Sequence, residues 1–153
     1  MALSSDTLAV GDPYDNQYGH KAGSVTVFQS DTSGNWTKIT RLTPTDAETG
    51  IRFGRAITLY CDRLVVGAPF DNSNGLVSGS VHIFTHNLSG PDSWAEIASI
   101  LGDDSAPGDE LGYSASLQGD IAVAGAPGKI PRGSVYVFDL NRPWVSLLPL
   151  VSR

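Results

Sequence analysis

The sequence predicts an all-β chain made of repeated four-stranded β-propeller blades, and three observations predict it. An apolar phrase ending in glycine recurs as Leu8-Ala9-Val10-Gly11, Leu64-Val65-Val66-Gly67 and Ile121-Ala122-Val123-Ala124-Gly125. A Gly-Ser-Val strand entry follows each copy, beginning at Gly23, Gly79 and Gly133. The phrases keep one beat: Gly11 to Gly67 is 56 residues and Gly67 to Gly125 is 58, while Gly23 to Gly79 is 56 and Gly79 to Gly133 is 54. Self-similarity at a fixed period is the signature of a repeat architecture. Four antiparallel strands per unit, repeated head to tail, describe a propeller blade.

The second repeat shows every element. Ala56 to Leu59 reads as its first strand, followed by the turn Tyr60-Cys61-Asp62-Arg63. Leu64 to Gly67 is a continuous apolar run and suits a strand buried on both faces. A loop from Ala68 to Gly79 leads to the third strand, Ser80-Val81-His82-Ile83-Phe84. A polar hairpin then leads to Trp94-Ala95-Glu96-Ile97-Ala98-Ser99-Ile100, whose admitted charge marks it as the outer strand. Trp36 to Leu42 is its counterpart in the first repeat, and a weaker echo begins at Trp144. No apolar pattern holds a 3.6-residue period, and Gly or Pro interrupts every window of helical length. The blades therefore span about residues 1–42, 53–100 and 111–150. The first is incomplete: Ala2-Leu3-Ser4 reads as the end of its inner strand. Pro149 places the last outer strand in doubt, because proline cannot donate to a ladder.

Phe53-Gly54, Val66-Gly67-Ala68-Pro69 and Gly79-Ser80-Val81-His82-Ile83-Phe84 together resemble the FG-GAP repeat, which builds the β-propeller of integrin α subunits and of many surface proteins. The resemblance runs from about Ala2 to Trp144. The first repeat departs from it with Gly11-Asp12-Pro13, and the third with Leu111-Gly112. Propellers of that family usually close with about seven blades, and this chain has three. The resemblance thus implies a fragment of a larger propeller, or copies that complete a ring between them. It also implies a non-catalytic binding or adhesion module, extracellular or at the cell surface, with a protein or glycan ligand. The alternatives are an accessory propeller of a larger secreted enzyme and a self-assembling structural protein.

Composition narrows the classes. The 153 residues carry 10 Lys+Arg against 16 Asp+Glu, a formal net charge of −6 with no basic run, which argues against a nucleic-acid partner. No 18-residue apolar run spans a membrane. The first residues lack the charged and apolar regions of a secretory signal. Cys61 is the single cysteine, so no intrachain disulfide forms, and its turn position reads as incidental.

Candidate sites lie in the loops between second and third strands, which share one face of the ring. They are Tyr14, Asp15, Tyr18 and His20 in the first repeat, Phe70, Asp71 and Asn72 in the second, and Lys129 and Arg132 in the shortened third loop. Aromatic and polar residues on protruding loops suit recognition. Tyr14 and Phe70 occupy equivalent positions, which equally suits packing beneath the loop. Calcium is not expected, nor any other cofactor. A calcium loop places oxygen ligands at alternate positions, whereas the turns at Asp6, Asp62 and Asp120 carry one carboxylate each. The acidic stretch Asp103 to Glu110 reads as a solvated loop. No catalytic signature is present. His82 stands where the other repeats have Thr26 and Tyr136, and reads as a position that needs only a side chain compatible with the pleat. Asn35-Trp36-Thr37 and Asn87-Leu88-Ser89 are acceptor triplets for N-glycosylation at the outer edge.

Overall fold

The computed structural model describes residues 1–86 and 93–141, together with the backbone of 148–149. Three antiparallel sheets succeed one another along the chain. Blade 1 holds β1 (Ala2–Ser4), β2 (Thr7–Asp12), β3 (Ser24–Ser30) and β4 (Trp36–Leu42). Blade 2 holds β5 (Ala56–Tyr60), β6 (Arg63–Ala68), β7 (Ser80–His86) and β8 (Trp94–Ile100). Blade 3 holds β9 (Ser114–Gln118), β10 (Ile121–Ala126), β11 (Ser134–Asp139) and β12 (Leu148–Pro149). Each blade is a meander with its strands in chain order. Pro149 does lie in the ladder, opposite Tyr136, at the sheet edge where a missing donor is tolerated. The Trp144 echo lies outside the described residues.

The first turns of the blades superpose in chemistry. Ser5, Cys61 and Gly119 all take positive φ, at 49°, 51° and 57°. The carbonyl of the next residue, Asp6, Asp62 or Asp120, accepts from the amide at or just beyond the end of the blade's third strand, Ser30, His86 or Leu140, each at 2.8 Å. The aspartates of these turns are thus part of the blade's own closure.

Blades meet through backbone. In the first junction, Arg52 N donates to Lys21 O and Phe53 N to Ala22 O, at 3.1 and 3.0 Å. In the second, Glu110 N donates to Val77 O and Leu111 N to Ser78 O, at 3.1 and 2.9 Å. The approach is so close that a Cβ on Gly67 would lie 1.9 Å from the Gly112 carbonyl oxygen. Only glycine admits that contact.

The core forms two layers, one in each junction. Leu59, Leu64, Val66 and Phe84 of blade 2 pack with Ala9, Val25 and Val27 of blade 1 and with Phe53 of the linker. On the other face, Val65, Val81 and Ile83 pack with Leu111, Leu117, Ala122, Ala124 and Phe138. In the central blade β6 is therefore buried on both faces, as its unbroken apolar run predicts. In the flanking blades one face is open, and Val10 and Val135 are 37% and 39% exposed.

Candidate functional site

The β2–β3, β6–β7 and β10–β11 loops all emerge at the end of the sheets where the inter-blade linkers run. The first two are shaped by a repeated Asp-Asn step. Asp15 accepts from Gln17 N at 3.0 Å, and Asn16 accepts from Lys21 N at 2.8 Å. Asp71 accepts from Ser73 N at 2.8 Å, and Asn72 accepts from Val77 N at 2.9 Å. These side chains fold their own loops in the way Asx turns do. The structure thus uses Asp15, Asp71 and Asn72 as loop braces, and Asp71 is buried.

The aromatics of these loops gather around a linker arginine. The Arg52 guanidinium lies 3.9 Å from the Phe70 ring centre and 5.6 Å from that of Tyr14. This stack joins the loops of blades 1 and 2 and leaves Tyr14 57% exposed. Tyr18 and His20 are also exposed on the same loop, Tyr18 at 52%. A parallel contact sets Arg55 4.6 Å from the Tyr113 ring. Arg132 is exposed and lines an open groove of about 360 Å³ with Tyr113, Gly125, Pro127 and Val135. Lys129 does not reach outward: its ammonium donates to the Asp104 carbonyl at 2.7 Å and to the Asp109 carboxylate at 3.0 Å. Asn35 is exposed in the β3–β4 hairpin, its amide donating to Asp31 at 3.0 Å. Asn87 lies outside the described residues.

Beneath the loops each blade carries a different polar network, and the sequence reading missed these. In blade 2 the Ser80 hydroxyl donates to Asp71 Oδ2 at 2.6 Å and lies 2.9 Å from His82 Nε2. His82 Nδ1 lies 2.7 Å from Glu96 Oε1. Glu96 Oε2 accepts from the amide and hydroxyl of Thr45 in the linker, at 2.9 and 2.8 Å. Burial would raise the Glu96 pKa, but the hydrogen bonds from His82 and Thr45 outweigh it and hold the carboxyl below its ordinary value. His82 is fully buried, with the Phe53 ring edge-on at 5.3 Å. It is thus far more constrained than a merely pleat-compatible position. The signal was hidden by a β-bulge. The register slips between Ile83 and Phe84, so Phe84 pairs with Glu96 and the carboxylate comes to the His82 face.

The order Ser80–His82–Glu96 has the connectivity of a nucleophile, base and orienting acid. Its burial is the opposite of what that chemistry requires: Ser80 and His82 have no exposed surface, and the Ser80 proton points to Asp71. In blade 1 Arg41 fills the corresponding space, donating to Ser24 at 3.0 Å and pairing with Asp15. In blade 3 the charges are exchanged. Lys129 takes the place of the loop aspartate, and Asp104 and Asp109 come from the linker. The Tyr136 hydroxyl donates to Asp104 at 2.7 Å, which holds that carboxyl low. Burial and the Asp104 contact push the Tyr136 phenol up. Burial alone would lower Lys129, but its bonds to Asp109, Tyr136 and Asp104 push it well up instead. The acidic stretch is therefore not simply solvated, since Asp109 is 3% exposed.

The sequence pattern of the FG-GAP repeat matches residues 36–84 and 94–138. The chain belongs to the FG-GAP repeat family. Each match begins on the outer strand of one blade and ends on the third strand of the next, so it spans the glycine-rich junction rather than one sheet. In FG-GAP terms, Phe53-Gly54 and Leu111-Gly112 are the steps that dock each blade onto its predecessor. No curated protein matches the chain. Among the described residues, no helix is long and apolar enough to cross a membrane.

Proposed function

We propose that this β-propeller-type chain is a non-catalytic recognition module of the adhesion kind, acting outside the cell or at its surface on a protein or glycan ligand. The observation that carries the reading is the Tyr14–Arg52–Phe70 stack. It fixes two loops to one another and leaves Tyr14, Tyr18 and His20 projecting from braced backbone. Exposed tyrosines on pre-shaped loops give contact area at low entropic cost. The buried polar groups support the absence of catalysis: Ser80, His82, Glu96 and Lys129 are committed to one another or to the linkers.

The test is a panel of extracellular-matrix proteins and glycans titrated against the immobilised chain, beside a Tyr14→Ala/Tyr18→Ala variant. Saturable binding that the variant loses, at unchanged thermal stability, supports the reading. Binding that the variant keeps in full moves recognition off these loops, and hydrolysis of a panel member overturns the non-catalytic assignment.

A further inference from the structure

The two outer faces of the chain are built from the residues that make its inner junctions. Blade 2 presents Ile57, Leu59, Leu64, Val66 and Phe84 to blade 1. At the same repeat positions, the open face of blade 1 carries Met1, Leu3, Leu8, Val10 and Phe28; four of the five are identical in type and in the same order. Leu3 is 63% exposed, whereas its counterpart Leu59 is 8% exposed, and Leu8 is half-buried where Leu64 is fully buried. Blade 1 receives blade 2 on Ala9, Val25 and Val27. The equivalent residues on the open face of blade 3 are Val123, Val135 and Val137: two are valine as in blade 1, and Val123 replaces Ala9 as Val65 does on the face of blade 2 that receives blade 3. Beside them, the groove lined by Gly125, Gly133 and Ser134 is the counterpart of the place where Gly54 meets Gly11 and Ser24.

We propose that the occupant of the blade 3 face is blade 1 of a second copy of this chain. The contact repeats the blade 1–blade 2 junction between molecules, with Leu8, Val10 and Phe28 of one copy against Val123, Val135 and Val137 of the other. Such a contact is head to tail, and it closes into a ring when the rotations between blades sum to a full turn. Propellers close with about 4–8 blades, so two copies of three blades fall inside the range and three copies fall outside it. The assembly is a six-bladed dimer with two equivalent junctions.

Sedimentation of the 153-residue chain, from low micromolar to about 100 µM, reads the mass directly in the range where such contacts saturate. The expected species has twice the 16.1 kDa of one chain. Val10→Asp and Val135→Asp alter opposite faces at sites already partly exposed in the single chain, so each variant folds alone, as far-UV circular dichroism checks. Each is expected to sediment as a single chain. A pair formed through like faces survives one of the two substitutions, and that outcome refutes the proposal. So does a wild-type chain that stays monomeric, or one that forms a ladder of larger species.

Discussion

Replacing Glu96 by alanine isolates the polar network beneath the blade 2 loop. The change removes the acceptor 2.7 Å from His82 Nδ1 and the acceptor of two bonds from Thr45. Thr45 is exposed and exchanges its lost partner for water. His82 is fully buried and finds none. Leaving a buried polar group unpaired costs about 1–3 kcal/mol, and we expect a loss of about 2–3 kcal/mol at pH 7 because the removed partner is an ionised carboxylate. Against a total stability of roughly 5–15 kcal/mol this is readily measured by urea unfolding. The pH dependence follows from the depressed Glu96 pKa. A carboxyl lowered on folding contributes its stability above its unfolded value, about 4.3, and loses it as the pH falls through the folded one. The gap between wild type and Glu96→Ala is therefore largest at neutral pH and narrows below about pH 4. A gap under about 0.5 kcal/mol at pH 7, the size of an ordinary surface change, refutes the account of the network. A gap that does not change with pH refutes the ionised carboxylate.

Gly67→Ala sets a methyl group 1.9 Å from the Gly112 carbonyl oxygen and is expected to cost more than about 3 kcal/mol or prevent folding, whereas Gly34→Ala meets only the strain of φ 83° and costs about 1 kcal/mol; thermal melts of the pair separate contact from conformation. Lys129→Met leaves Asp109 buried without its cation, and a loss of about 3 kcal/mol is expected in urea unfolding at pH 7, with much of it recovered by adding Asp109→Leu. Arg52→Ala removes the stack between Tyr14 and Phe70, so fluorescence anisotropy of a probe on the blade 1 loop is expected to fall while stability drops by only about 0.5–1 kcal/mol.

The fold was legible because its determinants repeat. Gly11 and Gly67 mark close backbone approach, Gly125 holds their place in the third repeat, and the strand entries at Gly23, Gly79 and Gly133 keep their phase, so three weak local signals become one strong one. The site was less legible, for two physical reasons. Tyr14 and Phe70 align across repeats, yet alignment does not reveal that Arg52, from a linker, lies between them. Asp15, Asp71 and Asn72 look like exposed loop residues in sequence, and only the closed loop shows their side chains turned back on its own amides. The bulge at Phe84 likewise breaks the alternation, which if regular would have put Glu96 on the face opposite His82.

The networks beneath the loops show how this repeat divides its labour. Backbone contacts between blades are the same at both junctions, down to the positive φ of Lys21 and Val77 and of Arg52 and Glu110. The polar fillings differ: Asp15–Arg41–Ser24, then Asp71–Ser80–His82–Glu96, which keeps the aspartate and serine but exchanges the arginine for His82 and Glu96, then Lys129 with Asp104, Asp109 and Tyr136. Where the loop aspartate becomes Lys129, the linker position held by Ile51 becomes Asp109, so the exchange of charge is compensated from the neighbouring element. A scaffold that keeps its clasps in backbone leaves the side chains of each blade free to change as a set. Loop shape in one blade can then be altered without disturbing the junction that holds the next.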